Sequence, residues 1–273
     1  MFLTYKQVPE IDRIVGEICG QKPVYDFTAE DGIHHTFWVV SDPNTIGCIK
    51  REFSNIPALY VADGHHRSAA AVRVCEMRKA TNPLHTGEEA YNYFLTVIFP
   101  HNQMQILPYN RVGKALGNPA NPSMTEEQFL SLLEEKFEVT QTDLQHAQPT
   151  ERHHFGMFLG GKWYRLNVKP GLVNENDIIE RLDVSILQKQ VLSPLLGIEN
   201  PRTDKKIGFV GGIKGVRALE EAVRKEGKGV AFALYPVSID EVISISDAGE
   251  IMPPKSTWFE PKLRSGLVIK PIV

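Results

Sequence analysis

The sequence predicts an α+β fold built around a mixed β-sheet, with a second α/β portion in its C-terminal half. Short β-prone runs alternate with segments of helical periodicity along the whole chain, which is typical of proteins that combine both elements. Turn residues separate these runs, and they concentrate in Gly-Asn-Pro-Ala-Asn-Pro at 117–122. We therefore predict an N-terminal portion at 1–116 and a C-terminal portion at 117–273.

The elements of the N-terminal portion are predicted from its apolar patterns. Apolar residues at Ile11, Ile14, Val15 and Ile18 form one stripe of a helix. The β-prone runs and the alanine-rich run predict strands at 36–40, 57–62 and 91–99 and a helix at 68–80.

The C-terminal portion carries clearer local signals. Thr125 with Gln128 and Ser238 with Glu241 have the spacing of capping boxes, and Gly160-Gly161 predicts a hairpin with a primed turn. The remaining patterns predict helices at 178–196 and 216–225, strands at 207–210 and 230–235, and a proline-rich loop followed by a strand at 267–269.

Composition narrows the classes of protein to which the chain can belong. The 273 residues carry a net charge of −3, with 42% hydrophobic and 23% charged residues, which is ordinary for a globular protein. This balance argues against a nucleic-acid partner, and no apolar run approaches the length of a membrane span. Three scattered cysteines argue against a disulfide framework. We expect a cytoplasmic protein and leave its oligomeric state open.

Five residues between a predicted strand and a predicted helix, Asp63-Gly64-His65-His66-Arg67, predict an anion site. Backbone N–H groups and the helix dipole favour an anion at such a helix start. Arg67 adds a guanidinium suited to phosphate or carboxylate. Two other interpretations stay open: Asp63 could be a helix N-cap, and the adjacent histidines could chelate a metal, although their spacing is not that of a zinc motif.

The tail at 252–266 is the second candidate site. Its prolines stiffen a segment that combines Lys255, Ser256, Thr257 and Arg264 with two aromatic residues. A preformed loop of this kind could bind phosphate, or it could simply cover the core. A third glycine-containing segment, Gly211-Gly212, is interpreted as a structural turn between a strand and a helix.

Three motifs together resemble one known family: A-D-G-H-H-R at 62–67, L-P-Y-N-R at 107–111 and M-P-P-K-S-T-W-F-E-P-K-L-R-S-G-L at 252–267. This family was long catalogued as a domain of unknown function. Its glycine-histidine-arginine turn is similar to that of the ParB/sulfiredoxin-like superfamily, in which the turn binds phosphates. The motifs also resemble those of kinases that form O-phospho-L-serine from free L-serine with pyrophosphate or a nucleotide.

The resemblance implies a role for each candidate residue. Asp63, His65 and His66 would be catalytic, and Asp63 would also bind Mg²⁺ or accept the serine hydroxyl proton. Asn110, Arg111, Glu260 and Lys262 would bind substrate. Phosphate of pyrophosphate, ATP or ADP would bind to the glycine of the turn, its two histidines and the hydroxyl and basic residues: Gly64, His65, His66, Arg67, Lys255, Ser256, Thr257 and Arg264.

The chain departs from the family pattern at its start. Members usually carry a further N-terminal region with an acidic motif, so the chain looks N-terminally short, and activity depends on that region. The alternative function is a non-catalytic module of the same fold that binds a nucleotide or another anion. A sulfiredoxin reaction is disfavoured because its cysteine would lie in the turn, where this chain has His65-His66.

Overall fold

The described residues combine helices with four sheets in two compact units. The computed structural model describes residues 1–227, 229–264 and 266–272, so Ser265 of the tail motif lies outside the described residues. One unit comprises 1–104 with 261–273, and the other comprises 105–260. The predicted α+β class with a mixed sheet is confirmed. The boundary predicted at 116/117 stays a prediction about domains.

The first unit contains five strands and three helices among its described residues. They are β1 (Phe2–Tyr5), α1 (Pro9–Cys19), β2 (Tyr25–Thr28), β3 (His34–Phe37), α2 (Pro43–Ser54), β4 (Tyr60–Asp63), α3 (His65–Thr81) and β5 (Val97–Pro100). The sheet has the order β4-β1-β5, in which β1 pairs antiparallel with β4 and parallel with β5. A separate hairpin joins β2 to β3.

Burial in this unit centres on β1, whose four residues are all buried. Its central position explains this, because both edges of the strand are paired. The predicted stripe of α1 is confirmed at Ile11 and Ile14, which are buried, whereas Val15 is 45% exposed. In contrast, α3 has no buried residue in its 17 positions. The element that begins at the predicted site therefore presents most of its surface to solvent.

The second unit is built on a larger antiparallel sheet. Its elements are β6 (Gln105–Leu107), β7 (Tyr109–Gly113), α4 (Glu126–Glu134), β8 (Phe137–Thr142), β9 (His154–Leu159), β10 (Lys162–Val168), α5 (Asp183–Leu187), α6 (Ser193–Leu196), β11 (Ile207–Gly211), α7 (Arg217–Glu226), β12 (Val230–Leu234), α8 (Ile239–Asp247) and β13 (Trp258–Glu260). Six strands pair in the order β11-β7-β12-β9-β10-β8, and β13 pairs with β6. All five residues of β12 are buried, which places the core at the middle of the sheet.

Local sequence signals are accurate in this unit. Gly160 and Gly161 both have positive φ, at 58° and 80°, as the predicted primed turn between β9 and β10 requires. Both predicted capping boxes are present, at Thr125 before α4 and at Ser238 before α8. Each satisfies helix-terminal N–H groups by contacts within a few residues, so tertiary packing does not compete with it.

Other predicted elements are wrong where tertiary structure decides. The strand predicted at 91–99 is formed only in its last part, as Val97–Pro100, and Ala90–Asn92 forms a 3₁₀ turn. The helix predicted at 178–196 begins only at Asp183 and includes a π-helical turn at Gln188–Leu192. The strand predicted at 267–269 is not formed, whereas the proline-rich loop contains β13. No helix in the described part of the chain is long and apolar enough to cross a membrane.

Candidate functional site

The turn at Gly64 connects β4 to α3 in a conformation that favours glycine. Gly64 has φ 99° and ψ 24°, and it is the N-cap residue of α3, with no side chain capping the helix. Asp63 is therefore not the N-cap; its Oδ1 accepts a hydrogen bond of 2.8 Å from the Gly64 N–H. The turn leaves the first N–H groups of α3, at residues 65–67, without intrahelical acceptors.

Two cations share the carboxylate of Asp63. Arg67 Nη2 lies 3.7 Å from Asp63 Oδ2, and Lys262 Nζ lies 3.9 Å from the same oxygen. The side chain of Arg67 is 60% exposed, that of Asp63 47% and that of Lys262 46%. Pairs this long and exposed contribute little to stability. Arg67 can therefore turn from Asp63 towards an anion at small cost.

We call Asp63, His65, His66, Arg67 and Lys262 the turn cluster. Both histidines are exposed in the first turn of α3. The helix dipole adds partial positive charge where Arg67 and Lys262 already lie. Phosphate oxygens match the N–H groups and the guanidinium fork of such a site. The arrangement is chemically suited to hold a phosphate, and the tail contributes to it through Lys262.

Arg264 has a different partner from the one that the phosphate-binding prediction implies. Its Nη2 is paired with Asp31 Oδ2, near the turn between β2 and β3. The hydrogen bond from Arg264 lowers the pKa of the Asp31 carboxyl. The structure thus brings Lys262 to the turn cluster and pairs Arg264 with Asp31, and a phosphate role for Arg264 stays a prediction.

The tail residues of the second unit form a tight loop before β13. Lys255 has φ 57°, and its Nζ lies 5.3 Å from the centre of the Tyr109 ring. Ser256 is 4% exposed, and its Oγ donates a 2.6 Å hydrogen bond to Pro253 O. Thr257 is half-buried. The hydroxyl of Ser256 therefore helps to fix the shape of the loop, whereas the ammonium of Lys255 contacts the Tyr109 ring.

Glu260 and Asn110, two predicted substrate-binding residues, both have intramolecular partners. Glu260 Oε1 accepts a 2.7 Å hydrogen bond from Trp258 Nε1. Asn110 is 0% exposed, and its Oδ1 accepts a 3.0 Å hydrogen bond from the Leu234 N–H. The Asn110 amide thus extends the pairing of β7 with β12. Substrate binding by either residue stays a prediction.

The glycines at 211 and 212 permit close packing. A Cβ on Gly211 would lie 2.5 Å from the Trp258 ring, and one on Gly212 would lie 2.6 Å from Pro108. Both glycines therefore admit neighbouring side chains of the second unit. This agrees with the interpretation of the segment as a structural turn.

Sequence reasoning missed a cleft in the second unit. It has a volume of about 630 Å³ and is lined by Thr125 and Glu126 at the start of α4, by the β9–β10 turn and by Arg224. None of its lining residues was predicted as a site residue. The cation in its wall, Arg224, forms an ion pair with Glu220 at 3.1 Å. No motif marks it, since its wall comes from three segments that are distant in sequence.

The turn cluster offers few ligands for the predicted Mg²⁺, since Asp63 is its one carboxylate. Among the described residues, no group of three or more His, Cys, Asp or Glu is placed to hold a metal ion. Asp63 offers one carboxylate, whose oxygens already face the Gly64 N–H and two cations. Mg²⁺ usually takes one or two carboxylates beside phosphate oxygens and water. The residues present do not form a protein-built magnesium site.

Fold and site define an α+β protein with a cationic, solvent-facing turn between a strand and a helix. The chain belongs to the family described as "Protein of unknown function (DUF1015)", whose model matches residues 1–185. The family that the three motifs predicted is thereby confirmed. No curated protein matches the chain.

Several solved structures are similar to the chain at low identity. A free serine kinase in complex with AMP shares 14% identity, covering 94% of this chain and 83% of that chain, with a TM-score of 0.36. SbnI with a C-terminal truncation, from Staphylococcus aureus, shares 12% over 98% and 82%, with a TM-score of 0.41. A conserved hypothetical protein from Pyrococcus furiosus shares 12% over 94% and 86%, with a TM-score of 0.33. At these scores none of them is evidence for the activity of this chain.

Proposed function

We propose that the protein is a small-molecule phosphotransferase that forms O-phospho-L-serine from L-serine, with pyrophosphate or a nucleotide such as ATP or ADP as the donor. The observation that carries the proposal is the turn cluster, where Arg67 and Lys262 meet at the uncapped start of α3. The motif resemblance to free serine kinases supports the choice of acceptor. The ParB/sulfiredoxin-like assignment of the β4–Gly64–α3 segment is part of the same proposal.

Phosphoryl transfer depends mainly on positioning and on neutralising charge. In the proposed complex, the N–H groups at the start of α3 bind the phosphates, and Arg67 and Lys262 turn from Asp63 to their oxygens. His65 and His66 add donors at the rim of the site. Asp63, released from these contacts, accepts the proton of the serine hydroxyl as its oxygen attacks the phosphorus and the rest of the donor leaves.

The second candidate function is an anion-binding module without catalysis. One observation favours it: Asp63 accepts the Gly64 N–H and faces two cations, so its carboxylate already has three positive or donor partners. A general base must be able to reach the proton that it removes. A module of this kind would bind nucleotide tightly and form no phosphoserine.

An assay of donors against acceptors tests the proposal. The protein is incubated with L-serine and pyrophosphate, ATP or ADP, and phosphoserine is measured by mass spectrometry. We expect product with at least one donor. Calorimetry with the same donors separates the two candidate functions. Binding without product would identify the module, and the absence of both binding and product would contradict both candidates.

Arg67→Ala should weaken binding of the productive donor. Loss of one charge-assisted hydrogen bond costs about 1.5–3 kcal/mol, so affinity should fall about tenfold or more. Lys22→Ala is the matched control, because Lys22 is an exposed cation of the same unit outside the turn cluster. Equal affinity of the wild-type protein and Arg67→Ala in calorimetry would contradict a phosphate contact by Arg67.

A further inference from the structure

Arg111 is a deeply buried cation in the second unit. It lies in β7, between β11 and β12, and it is 3% exposed. Burial lowers the pKa of its guanidinium to about 9. A buried charge is normally paired with an opposite charge, because desolvation is costly. The groups around Arg111 must therefore compensate for the loss of water around its charge.

The hydrogen bonds described for Arg111 go only to backbone carbonyls. Nη1 donates to Tyr109 O at 2.5 Å and to Lys255 O at 2.8 Å, and Nη2 donates to Pro254 O at 3.2 Å. The guanidinium carbon lies 4.9 Å from the centre of the Phe209 ring. The charge thus stabilises a particular arrangement of carbonyl groups, two of which belong to the tail loop.

Those two carbonyls bracket the strained residue of the loop. Lys255 and His153 are the non-glycine residues with positive φ in the part of the chain that the structure describes. A left-handed lysine is sterically unfavourable, so the surrounding contacts must hold it. Arg111 bonds to the carbonyl of Lys255 and to the one before it, which determines how that peptide turns.

The rest of the loop is held at both ends. Ser256 Oγ bonds to Pro253 O, and Trp258 packs where a Cβ on Gly211 would lie. Tyr109 lies two residues before Arg111 in β7, and its ring contacts Lys255 Nζ. Backbone and ammonium of Lys255 are therefore both held from β7. A lysine so restrained binds an anion with little loss of entropy.

We infer that Arg111 is a positioning residue that holds the loop at 253–257, and through it Lys255, in the shape that binds phosphate. The inference rests on the proposed function, and on the sequence prediction that Lys255 contacts the phosphate donor. It differs from the sequence prediction, in which Arg111 itself binds the substrate. Lysine is not equivalent, because its three donors lie on a single nitrogen, whereas Arg111 reaches these carbonyls from the two separate nitrogens Nη1 and Nη2 of a planar fork.

The test combines two single variants and their double variant. Arg111→Lys keeps the charge and loses the fork, whereas Lys255→Gln loses the ammonium and leaves Arg111 in place. Hydrogen exchange at the backbone amides of 255–257 measures the order of the loop. Calorimetry with pyrophosphate measures affinity. Should Arg111→Lys fail to fold, Arg111→Gln, which can still donate to one carbonyl, takes its place.

For Arg111→Lys we expect exchange at 255–257 to become at least about tenfold faster and affinity to fall about tenfold, the loss expected for about 1.4 kcal/mol. Lys255→Gln should lower affinity with little change in exchange. The double variant should bind no more weakly than Lys255→Gln alone, because Arg111 acts through Lys255. Additive losses, or unchanged exchange in Arg111→Lys, would overturn the inference.

The outcomes separate the inference from the proposed function. If the wild-type protein binds neither pyrophosphate nor a nucleotide, the proposed function fails. Exchange at 255–257 then decides the positioning role without a ligand. Faster exchange in the Arg111 variant supports that role, and unchanged exchange refutes it.

Discussion

Gly64→Ala is expected to lower affinity for the phosphate donor about thirtyfold to a hundredfold, which corresponds to about 2–3 kcal/mol. It should also lower the free energy of unfolding by about 1–2 kcal/mol, the cost of a left-handed conformation for a residue with a Cβ. Gly64 has φ 99°, and its added Cβ would lie 3.3 Å from Arg67 Nε and Nη2. The substitution therefore disturbs the backbone of the turn and the cation beside it together.

The two effects of Gly64→Ala have separate physical causes. If alanine forces φ away from 99°, the N–H groups of residues 65–67 no longer point to one place, and their joint contribution to anion binding is lost. If only Arg67 is displaced, affinity should fall no further than in Arg67→Ala. Comparing the two variants by calorimetry separates backbone geometry from charge.

Gly47→Ala is the matched control. Gly47 lies in α2 of the same unit, and a Cβ there would meet nothing within 4 Å. In an exposed helix interior, alanine should raise the free energy of unfolding by about 0.5–1 kcal/mol and leave affinity unchanged. Equal behaviour of the two alanine variants, in thermal unfolding and in calorimetry, would refute a special role for the turn at Gly64.

How much of the site could be predicted depends on sequence distance. The turn at 63–67 was found because strand, glycine and cations are adjacent in sequence, and the structure places them between β4 and α3. The meeting of Lys262 with Asp63 spans most of the chain, and no local pattern reports it. The tail could be singled out for its composition, but its individual partners depend on tertiary structure.

The alternation of side chains along a strand could have predicted that Asn110 and Arg111 have different roles. Adjacent residues of a strand point to opposite faces, so the two side chains cannot both reach one ligand from β7. In the structure, Asn110 bonds to Leu234 N–H and Arg111 bonds to the tail loop.

The strand predicted at 91–99 is wrong for a different reason. β-Propensity reflects how well a side chain packs on a sheet, and most of that segment does not belong to a sheet.

The second large effect is expected from a buried carboxyl group in the second unit, Asp183, which is 6% exposed. Its Oδ1 accepts a 2.9 Å hydrogen bond from the His153 N–H, and its Oδ2 has no hydrogen-bond partner among the described residues. Burial raises the pKa of Asp183 to about 7, and nearby Glu241 adds to the rise. The His153 hydrogen bond and the charge of Arg152 oppose it.

The sign of the pH dependence follows from these pKa values. The pKa of Asp183 in the folded protein, about 7, lies above its ordinary value of 3.8, so the folded state binds more protons between these two pH values. Its contribution to stability is fully present below about pH 4 and is lost as the pH rises through 7. A difference of about 3 pKa units corresponds to about 4 kcal/mol.

Asp183→Asn should remove this dependence, because the amide stays neutral and keeps an oxygen to accept the His153 N–H. The free energy of unfolding of the variant minus that of the wild-type protein should therefore rise by up to about 4 kcal/mol between about pH 4 and pH 8. Urea unfolding followed by tryptophan fluorescence measures it, since Trp163 and Trp258 both lie in the second unit. Asp240→Asn, at an exposed position of α8, should give a difference that varies far less with pH. Parallel pH profiles for the wild-type protein and Asp183→Asn would mean that Asp183 ionises in the folded protein as it does in the unfolded chain, in spite of its burial beside Glu241.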